Sequence, residues 1–404
     1  MMLLMIGNGM QATLMGVRGG IEGFSTLAMS LITAGYFLGF LAGSRLTPVF
    51  IRRVGHVRVF AALGSFISAG LIVFPVFPEP VTWAVLRVLL GFCLSGVYVT
   101  AESWLNNAVT NERRGTALSV YMVVQMIGLV SAQGLMNVGD AGGFVLFILP
   151  SVLVSLSFAP ILLSVSPAPA HEATRPMTLR RLYTASPLGV VGMILLGAVF
   201  SSQFGMASVY GAVAGLGVGE ISAFVAAIFT GSLMMQMPVG WLSDRMDRRR
   251  LIAAMAGLGT LATAAGVVAG TSLPVLLVLA FALGGIASPL YALLISYTND
   301  YLEREDMAAA SGGLVFVYGF GAIVGPLATG ALMESAGPEG FWIFLAMVFA
   351  AVTLYALWRM TRRPGIPSSE TGSYVTVSPV SSAYATEVAQ EVAAEADAEA
   401  DAEA

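Results

Sequence analysis

Two charged residues, Arg87 and Glu102, stand in one long apolar run of this 404-residue sequence. A guanidinium can bind an anionic group of a solute, and a carboxylate can take up and release protons. Arg87, Gly91, Ser95, Tyr98 and Glu102 recur at steps of three and four residues, so they would form one polar stripe on a helix. The stripe predicts a path for a solute or a proton.

Each charge also has a plain structural interpretation. Arg87 would bond to backbone carbonyls, because an unpaired guanidinium costs ~2.5–3.5 kcal/mol in hydrocarbon. Glu102 lies ~22 Å from Arg87 along a helix axis, at 1.5 Å per residue. In the structural interpretation, Glu102 would only hold the cytoplasmic arginines in place. Both interpretations stay open for each residue.

Uncharged polar side chains in other apolar runs are further candidates for lining the path. They are Asn8, Gln11, Gln125, Gln133, Gln203 and Tyr210. As a group they favour a neutral or weakly charged ligand, although each would serve equally well as a hydrogen bond between helices. No metal-ligand cluster, phosphate-binding loop or nucleophile elbow accompanies them, so we expect no metal, no cofactor, no nucleic acid and no enzyme activity.

The elements that carry these residues must be membrane-spanning helices. Apolar residues make up 57% of the chain and charged residues 10%, with a mean hydropathy of +0.84, which excludes a soluble globule. The apolar runs are continuous and close to the ~20 residues that cross a bilayer as a helix. We predict twelve spans, at 1–17, 24–44, 58–77, 82–104, 115–137, 143–165, 188–213, 221–242, 251–270, 274–297, 308–333 and 341–358. The first span is short, which indicates a snorkelling helix or a start further upstream.

Charge placement predicts the orientation and the domains. Every basic residue is an arginine, and all but Arg18 and Arg87 fall on one side if both termini are cytoplasmic. The polar stretch 166–187 would link an N-terminal six-helix bundle, 1–165, to a C-terminal one, 188–360. Residues 361–404 are rich in serine, alanine and acids, so we expect a disordered acidic cytoplasmic tail.

An internal repeat supports two equivalent halves. The run at 98–113 matches the run at 291–306 at a constant offset, with Tyr98 opposite Tyr291 and Ser103 opposite Ser296. Six spans per half give both halves the same orientation, which is a parallel repeat. Two six-helix bundles around a central path are a transporter architecture, and we expect a monomer in the lipid bilayer.

Glycines predict where helices approach closely. Gly35, Gly39 and Gly43 recur every four residues in the second span, and Gly321, Gly325 and Gly330, with Pro326, mark the eleventh. Small residues on one face let helices meet at short distance in lipid. We expect these stripes to pack one bundle against the other, or alternatively to pack helices within each bundle.

One loop carries a family resemblance. The run GWLSDRMDRRR at 240–250 resembles a signature loop of the major facilitator superfamily, through Gly240, Asp244, Arg245, Arg248 and Arg249. Asp247 departs from it, since that family usually has glycine there. The resemblance implies a gating loop, whereas a plain arginine cluster that sets the topology is the alternative.

Two runs in the fourth span extend the resemblance. RVLLGFCLSG at 87–96 is similar to another motif of the superfamily, and ESWLN at 102–106 resembles its YcaD-like bacterial branch. The resemblance implies a multi-pass protein of the bacterial inner membrane that moves a small molecule by alternating access.

The expected function is a secondary transporter. Our first choice is a proton-coupled exporter of a drug or metabolite, working as an antiporter. The alternatives are a facilitator or importer of a sugar-like or organic-acid solute and, in another class, a membrane sensor without transport or a lipid scramblase.

Overall fold

The computed structural model describes residues 1–110, 113–163, 177–362, 364–367 and 371–403. Within these ranges all regular structure is helical. The helices are α1 Met2–Ile21, α2 Thr26–Val54, α3 His56–Val73, α4 Pro80–Ala108, α5 Arg114–Leu135, α6 Val145–Leu162, α7 Leu179–Ala185, α8 Pro187–Ser201, α9 Ala207–Val213, α10 Val218–Ser243, α11 Arg248–Val268, α12 Leu273–Asn299, α13 Arg304–Ala336, α14 Glu339–Met360 and α15 Ala383–Glu403.

Ten spans in the described chain are long and apolar enough to cross a membrane. One of them, Pro187–Val213, consists of α8, a π-helical turn at Ser202–Met206 and α9. The remaining apolar helices, α1 and α6, fall outside this set. Helix α1 interrupts its apolar residues with Asn8, Gln11 and Arg18, and α6 contributes only a short apolar stretch.

Local sequence explains where several helices begin. The hydroxyl of Ser25 accepts a hydrogen bond from the Ala28 amide at 3.1 Å and caps α2. Ser186 caps α8 in the same way, and Pro187 follows at the first helical position, where its missing N–H is not needed. Helix α1 continues to Ile21, so it is longer than the predicted span 1–17.

The helices pack in corresponding pairs before and after the polar stretch. Helix α2 lies along α4, and α10 lies along α12; α3 packs on α6, and α11 packs on α14. Contacts between the two parts of the chain are made by α1 with α9, α2 with α13, and α5 with α10. Of the predicted linker 166–187, residues 166–176 lie outside the described residues, and the short helix α7 occupies 179–185.

The C-terminal segment differs from the expected disordered tail. Residues 371–382 form neither helix nor strand and contain a turn at 379–380, and α15 follows. Val375, Val377, Val380, Ala385 and Val388 are buried. The acidic composition belongs to the last residues of the segment, whereas residues 371–386 carry no charge and alternate apolar with small polar side chains. Such a sequence can be buried, so averaging the composition over 361–404 led to the wrong expectation.

The helix assembly has two ends, which we name the tail face and the opposite face. The tail face contains Asn106 near the end of α4 and Asn299 at the end of α12, both of which contact the C-terminal segment. The opposite face contains the starts of α2 and α4, where Phe24 packs against Trp83 with ring centroids 5.0 Å apart.

Candidate functional site

Arg87 is buried in α4 with 1% of its surface exposed. Its Nη1 donates a hydrogen bond to Oε1 of Gln11 at 2.5 Å, and its guanidinium lies 4.5 Å from the ring centroid of Tyr36. No carboxylate of the described residues forms an ion pair with it. An amide oxygen and an aromatic face therefore stabilise this charge, and neither of the two has a net charge to neutralise it.

Asn8 and Tyr98 form a second polar contact between α1 and α4. The side-chain amide of Asn8 donates to the Tyr98 hydroxyl at 3.0 Å, and that hydroxyl lies 3.7 Å from the sulfur of Met5. The predicted stripe on α4 is thus engaged by α1 at Arg87 and again at Tyr98, about three helical turns apart.

Glu102 is buried at the tail-face end of the same stripe, with 3% of its surface exposed. The Tyr121 hydroxyl donates to one carboxylate oxygen at 3.0 Å. The backbone N–H of Ser382 donates to the same oxygen at 3.4 Å, and the Ser382 hydroxyl donates to the other. Among the described residues no arginine pairs with Glu102, so the bracing interpretation does not fit the structure.

The remaining candidate residues do not converge on one point. Gln133 accepts a hydrogen bond from Thr13 at 2.9 Å, and Gln125 is buried on the same helix. Gln203 is buried in the π turn, a kind of irregularity that is frequent at functional sites. Tyr210 stacks on Phe341 with centroids 5.1 Å apart and packs among aromatic rings of α10 and α14, which is the setting of a core residue.

A central cavity of about 40 Å³ lies between the two parts of the chain. Aromatic side chains form half of its lining: Tyr36, Phe37 and Phe40 from α2, Tyr98 from α4, Phe200 and Phe204 from α8 and the π turn, and Tyr291 and Tyr318 from α12 and α13. Tyr36, which lies under Arg87, stacks on Phe204 across the cavity at 5.9 Å. Tyr98 stood on the predicted stripe, but sequence reasoning missed the other rings, although tyrosines at matching positions of α4 and α12 were a usable signal.

The cavity is closed towards the opposite face by direct helix contacts. The Thr26 hydroxyl donates to the Glu334 carboxylate at 2.5 Å. A Cβ at Gly330 would lie 2.4 Å from the Cβ of Ser30, and a Cβ at Gly16 would lie 2.2 Å from the Ser208 hydroxyl. Small residues therefore let α1 and α2 meet α9 and α13 at this face.

The predicted glycine stripes pack elsewhere. Gly35, Gly39 and Gly43 lie against the backbone of α4, and Gly321 and Gly325 lie against the backbone of α8. These contacts stay within each part of the chain, so the alternative of packing within a bundle is correct for them. Pro326 lies inside α13. Gly330 of the predicted stripe does meet the other half, since helices α2 and α13 touch at Thr26, Ser30 and Gly330.

The loop between α10 and α11 holds an ionic cluster around Arg248. This buried guanidinium donates to Asp300 at 2.5 Å and to Ser243 at 3.1 Å, and it lies 3.6 Å from Asp244. Asp300 was not among the predicted residues. The cluster joins the loop to the end of α12. A gating role would require such a contact to form in one conformation and to break in the other.

Two other arginines of this loop contact residues close to them in sequence. Arg245 lies 4.3 Å from the ring centroid of Trp241, and Arg249 pairs with Asp247 at 2.8 Å. Burial alone would raise the pKa of the Asp247 carboxyl, but the hydrogen bonds from Arg249 hold it below its usual range. A Cβ at Gly240 would lie 2.8 Å from the ring of Tyr374, so this position must be small for the C-terminal segment to lie there.

A lateral opening lies between α5 and α10 in the half of the molecule near the tail face. Four methionines contribute to its lining, Met122 and Met126 on α5 and Met234 and Met237 on α10, and residues 376–378 of the C-terminal segment form another part of it. Met237 is 80% exposed. Flexible thioether side chains suit a surface that admits apolar molecules of different shapes.

Comparisons with known proteins agree with this architecture. A family model of the Major Facilitator Superfamily matches residues 1–229 and 190–389. An uncharacterised MFS-type transporter of Enterobacter sp. (strain 638) is 26% identical over 348 residues, 85% of this chain and 89% of that protein. The uncharacterised MFS-type transporter YcaD of Escherichia coli O7:K1 is 26% identical over 332 residues, 81% and 85% of the two chains.

Two solved structures share the fold. A variant of the nucleoside transporter NupG aligns with a TM-score of 0.77 at 14% identity, covering 88% of this chain and 97% of its own. A bacterial homologue of the human lysosomal transporter Spinster, solved inward-facing and unoccupied, aligns with a TM-score of 0.65 at 14% identity, covering 98% and 96%. Family model, relatives and fold agree: the chain belongs to the Major Facilitator Superfamily, is a membrane transporter, and stands with its YcaD-like branch.

Proposed function

We propose that this protein exports a small, largely apolar or aromatic molecule across the bacterial inner membrane by alternating access, in exchange for protons. It does so as a monomer with twelve spans in two parallel six-helix bundles and with both termini in the cytoplasm. The central cavity is the single observation that carries the proposal, because helices of both halves line it and direct contacts close it towards one face.

The pairing of helices supports two equivalent bundles. Helices α2 and α4 correspond to α10 and α12, and each pair is in close backbone contact at a glycine. In this arrangement α1 and α6 complete the count of twelve. The arginines concentrate on the tail face, which the positive-inside rule makes cytoplasmic. The cavity then faces the cytoplasm.

The cavity lining supports an apolar or aromatic substrate. Tyrosine and phenylalanine rings offer large flat surfaces with few hydrogen-bonding groups. Asn8 donates a hydrogen bond to Tyr98, and Gln11 accepts one from Arg87. One polar atom of each amide is therefore already bonded within the protein. A sugar would need many hydrogen-bond partners, and the side chains of the lining offer few beyond the tyrosine hydroxyls and those of Ser44 and Ser381. The methionine-lined opening between α5 and α10 adds an apolar surface that suits such a molecule.

Glu102 supports the coupling to protons. It is a buried carboxylate on the predicted stripe, and hydroxyl and amide donors surround it in place of a fixed positive charge. Such a group can accept a proton without breaking an ion pair. Arg87 on the same helix would hold the polar group of a substrate at the other end of the stripe.

A ligand screen tests the proposal. The purified protein would be heated with a panel of aromatic drugs, nucleosides, sugars and organic acids, because a compound that binds the folded state raises the unfolding temperature. Each hit would then be tested for flux in proteoliposomes, with and without a pH gradient. We expect hits among the aromatic compounds and flux that follows the gradient. Stabilisation by sugars alone, or flux that ignores the gradient, would contradict the proposed export.

A further inference from the structure

The C-terminal segment 371–390, which we call the plug segment, enters the molecule from the tail face. Its first sixteen residues carry no charge, and Val377 is 0% and Val380 8% exposed. Pro379, Val380 and Ser381 form part of the wall of the central cavity. A charge-free stretch is what a site of low polarity can accommodate, since each buried charge would need a partner.

The plug segment is bound to the C-terminal half through its backbone. The N–H of Tyr374 donates to Asp244 at 3.0 Å, and the N–H of Val375 donates to the Ser296 hydroxyl at 2.9 Å. Gln236 donates to the Tyr374 hydroxyl at 3.2 Å. Arg248, the centre of the ionic cluster, donates to the carbonyl of Gly372. Side chains of the gating loop thus satisfy backbone groups of the segment.

The same segment is bound to the N-terminal half. Ser382 donates to Glu102 through both its N–H and its hydroxyl, and Asn106 donates to the Tyr384 hydroxyl at 2.9 Å. At the end of the plug segment, Gln390 of α15 returns to the C-terminal half, where it donates to Asn299 at 2.7 Å and accepts from Ser311. One peptide therefore joins residues of both halves, and its partners include both the gating loop and the proposed coupling residue.

We infer that the plug segment is an intramolecular inhibitor that occupies the substrate route on the tail face and must leave before the cavity can be loaded. While it is bound, solute from that side meets Pro379 to Ser381, and the two halves cannot close over the space that it fills. The inference rests on the proposed function, in which the cavity is the substrate route. The tether to α14 keeps the segment at high effective concentration, so modest contacts suffice to hold it.

A labelling experiment tests occupancy without any substrate. In a Cys93→Ala background, Ala322→Cys would place one thiol at a cavity position that is 1% exposed. The rate of reaction with a water-soluble maleimide would be measured in the full chain and in a chain ending at residue 370. We expect labelling at least tenfold faster in the truncated protein. Equal rates would overturn the inference. Arg53→Cys, exposed in the last turn of α2, reports the reactivity of the reagent and should label equally in both.

Two point variants keep the chain at full length. Val377→Asp would put a charge at a fully buried position of the plug segment, so we expect it to speed labelling of Ala322→Cys as truncation does. Thr376→Asp, one residue earlier and exposed, adds the same charge and should leave labelling slow. Fast labelling in Thr376→Asp together with slow labelling in Val377→Asp would overturn the assigned buried side of the segment.

Flux separates this inference from the proposed function. With a compound found in the ligand screen, the truncated protein and Val377→Asp should transport several times faster than the full chain. Equal flux in all three proteins would overturn inhibition. If labelling depends on the plug segment but no compound of the panel moves through any of the proteins, the proposed function fails while occupancy of the cavity stands.

Discussion

Helices α4 and α12 occupy equivalent places in the two halves but differ in charge. At an offset of 193 residues, Gly91 corresponds to Gly284 and Tyr98 to Tyr291. A Cβ at Gly91 would lie 1.9 Å from the carbonyl oxygen of Tyr36 on α2, and a Cβ at Gly284 would lie 1.8 Å from that of Ile228 on α10. Both tyrosines line the central cavity. The scaffold is therefore duplicated closely.

The charges are not duplicated. Ala280 stands where α4 has Arg87, and Ile295 stands where α4 has Glu102. Both residues of α12 are fully buried. An apolar side chain satisfies the packing at each place, so packing does not require the charges on α4. The comparison supports the roles proposed for Arg87 and Glu102 in handling a solute or a proton, whereas the glycines and tyrosines belong to the shared packing.

The largest effect is expected from removing Arg87. Arg87→Ala would eliminate the guanidinium that contacts Gln11 and Tyr36, so we expect flux in proteoliposomes to fall at least ~100-fold, or ~2.7 kcal/mol at 1.36 kcal/mol per tenfold change in rate, while expression stays normal. Arg45→Ala is the control, because Arg45 lies 4.4 Å from the ring centroid of Phe316 but is exposed. Normal flux from Arg87→Ala would show that α4 needs this charge no more than α12 does.

The next effect concerns Glu102. Glu102→Gln keeps the shape but cannot exchange a proton, so we expect flux to continue and to lose its dependence on a pH gradient. The measurement is best made in the chain ending at residue 370, because there the change cannot act through Ser382. Gradient dependence that survives the substitution would return Glu102 to a structural role.

A third prediction tests the shared scaffold. Gly91→Ala and Gly284→Ala should lower the unfolding temperature by similar amounts, because both press a methyl group onto backbone; overpacking costs typically ~1–3 kcal/mol. Gly134→Ala is the matched control, since a Cβ there meets nothing within 4 Å. It should be neutral or stabilise by up to ~1 kcal/mol, as alanine favours helix. Unequal losses at Gly91 and Gly284 would break the equivalence of α4 and α12.

The smallest effect is expected at the two tyrosines. Tyr98→Phe removes the acceptor of the Asn8 amide, which we expect to cost ~1–2 kcal/mol of unfolding free energy. Tyr291→Phe keeps the edge-to-face contact with Tyr318 at 5.0 Å, and in the chain ending at residue 370 it removes no hydrogen bond to Thr386, so its cost should be smaller there. Thermal unfolding of the two variants in parallel measures the difference, and a larger loss at Tyr291 would reverse the expected order.

The sequence allowed the helices of the fold to be predicted well, because hydropathy responds directly to the lipid solvent. Arg87 and Glu102 were recognisable for the same reason, as charges are costly in an apolar run. The aromatic lining was not recognisable, since a phenylalanine such as Phe204 looks the same in sequence whether it faces lipid, core or cavity.

Two other failures have different physical causes. The spacing of Gly35, Gly39 and Gly43 predicts a close approach of two helices, but spacing carries no information about which helix approaches. The C-terminal segment was judged by its acidic end, although Val375 and Val377 belong to a charge-free stretch with a different preference. Which segments pack together over long separations in sequence depends on the packing of the whole molecule.

The contact between α2 and α4 also has a mechanical meaning. A Cβ at Gly39 would lie 1.9 Å from the carbonyl oxygen of Val88, so no side chains lie between the two helices at this point. Helices in direct backbone contact cannot slide past each other by changing side-chain rotamers. We therefore expect α2 and α4 to move as one rigid unit. In the alternating access that we propose, the pivot would lie near the contact of Ser30 with Gly330, and Arg87 would move together with α2 and α4.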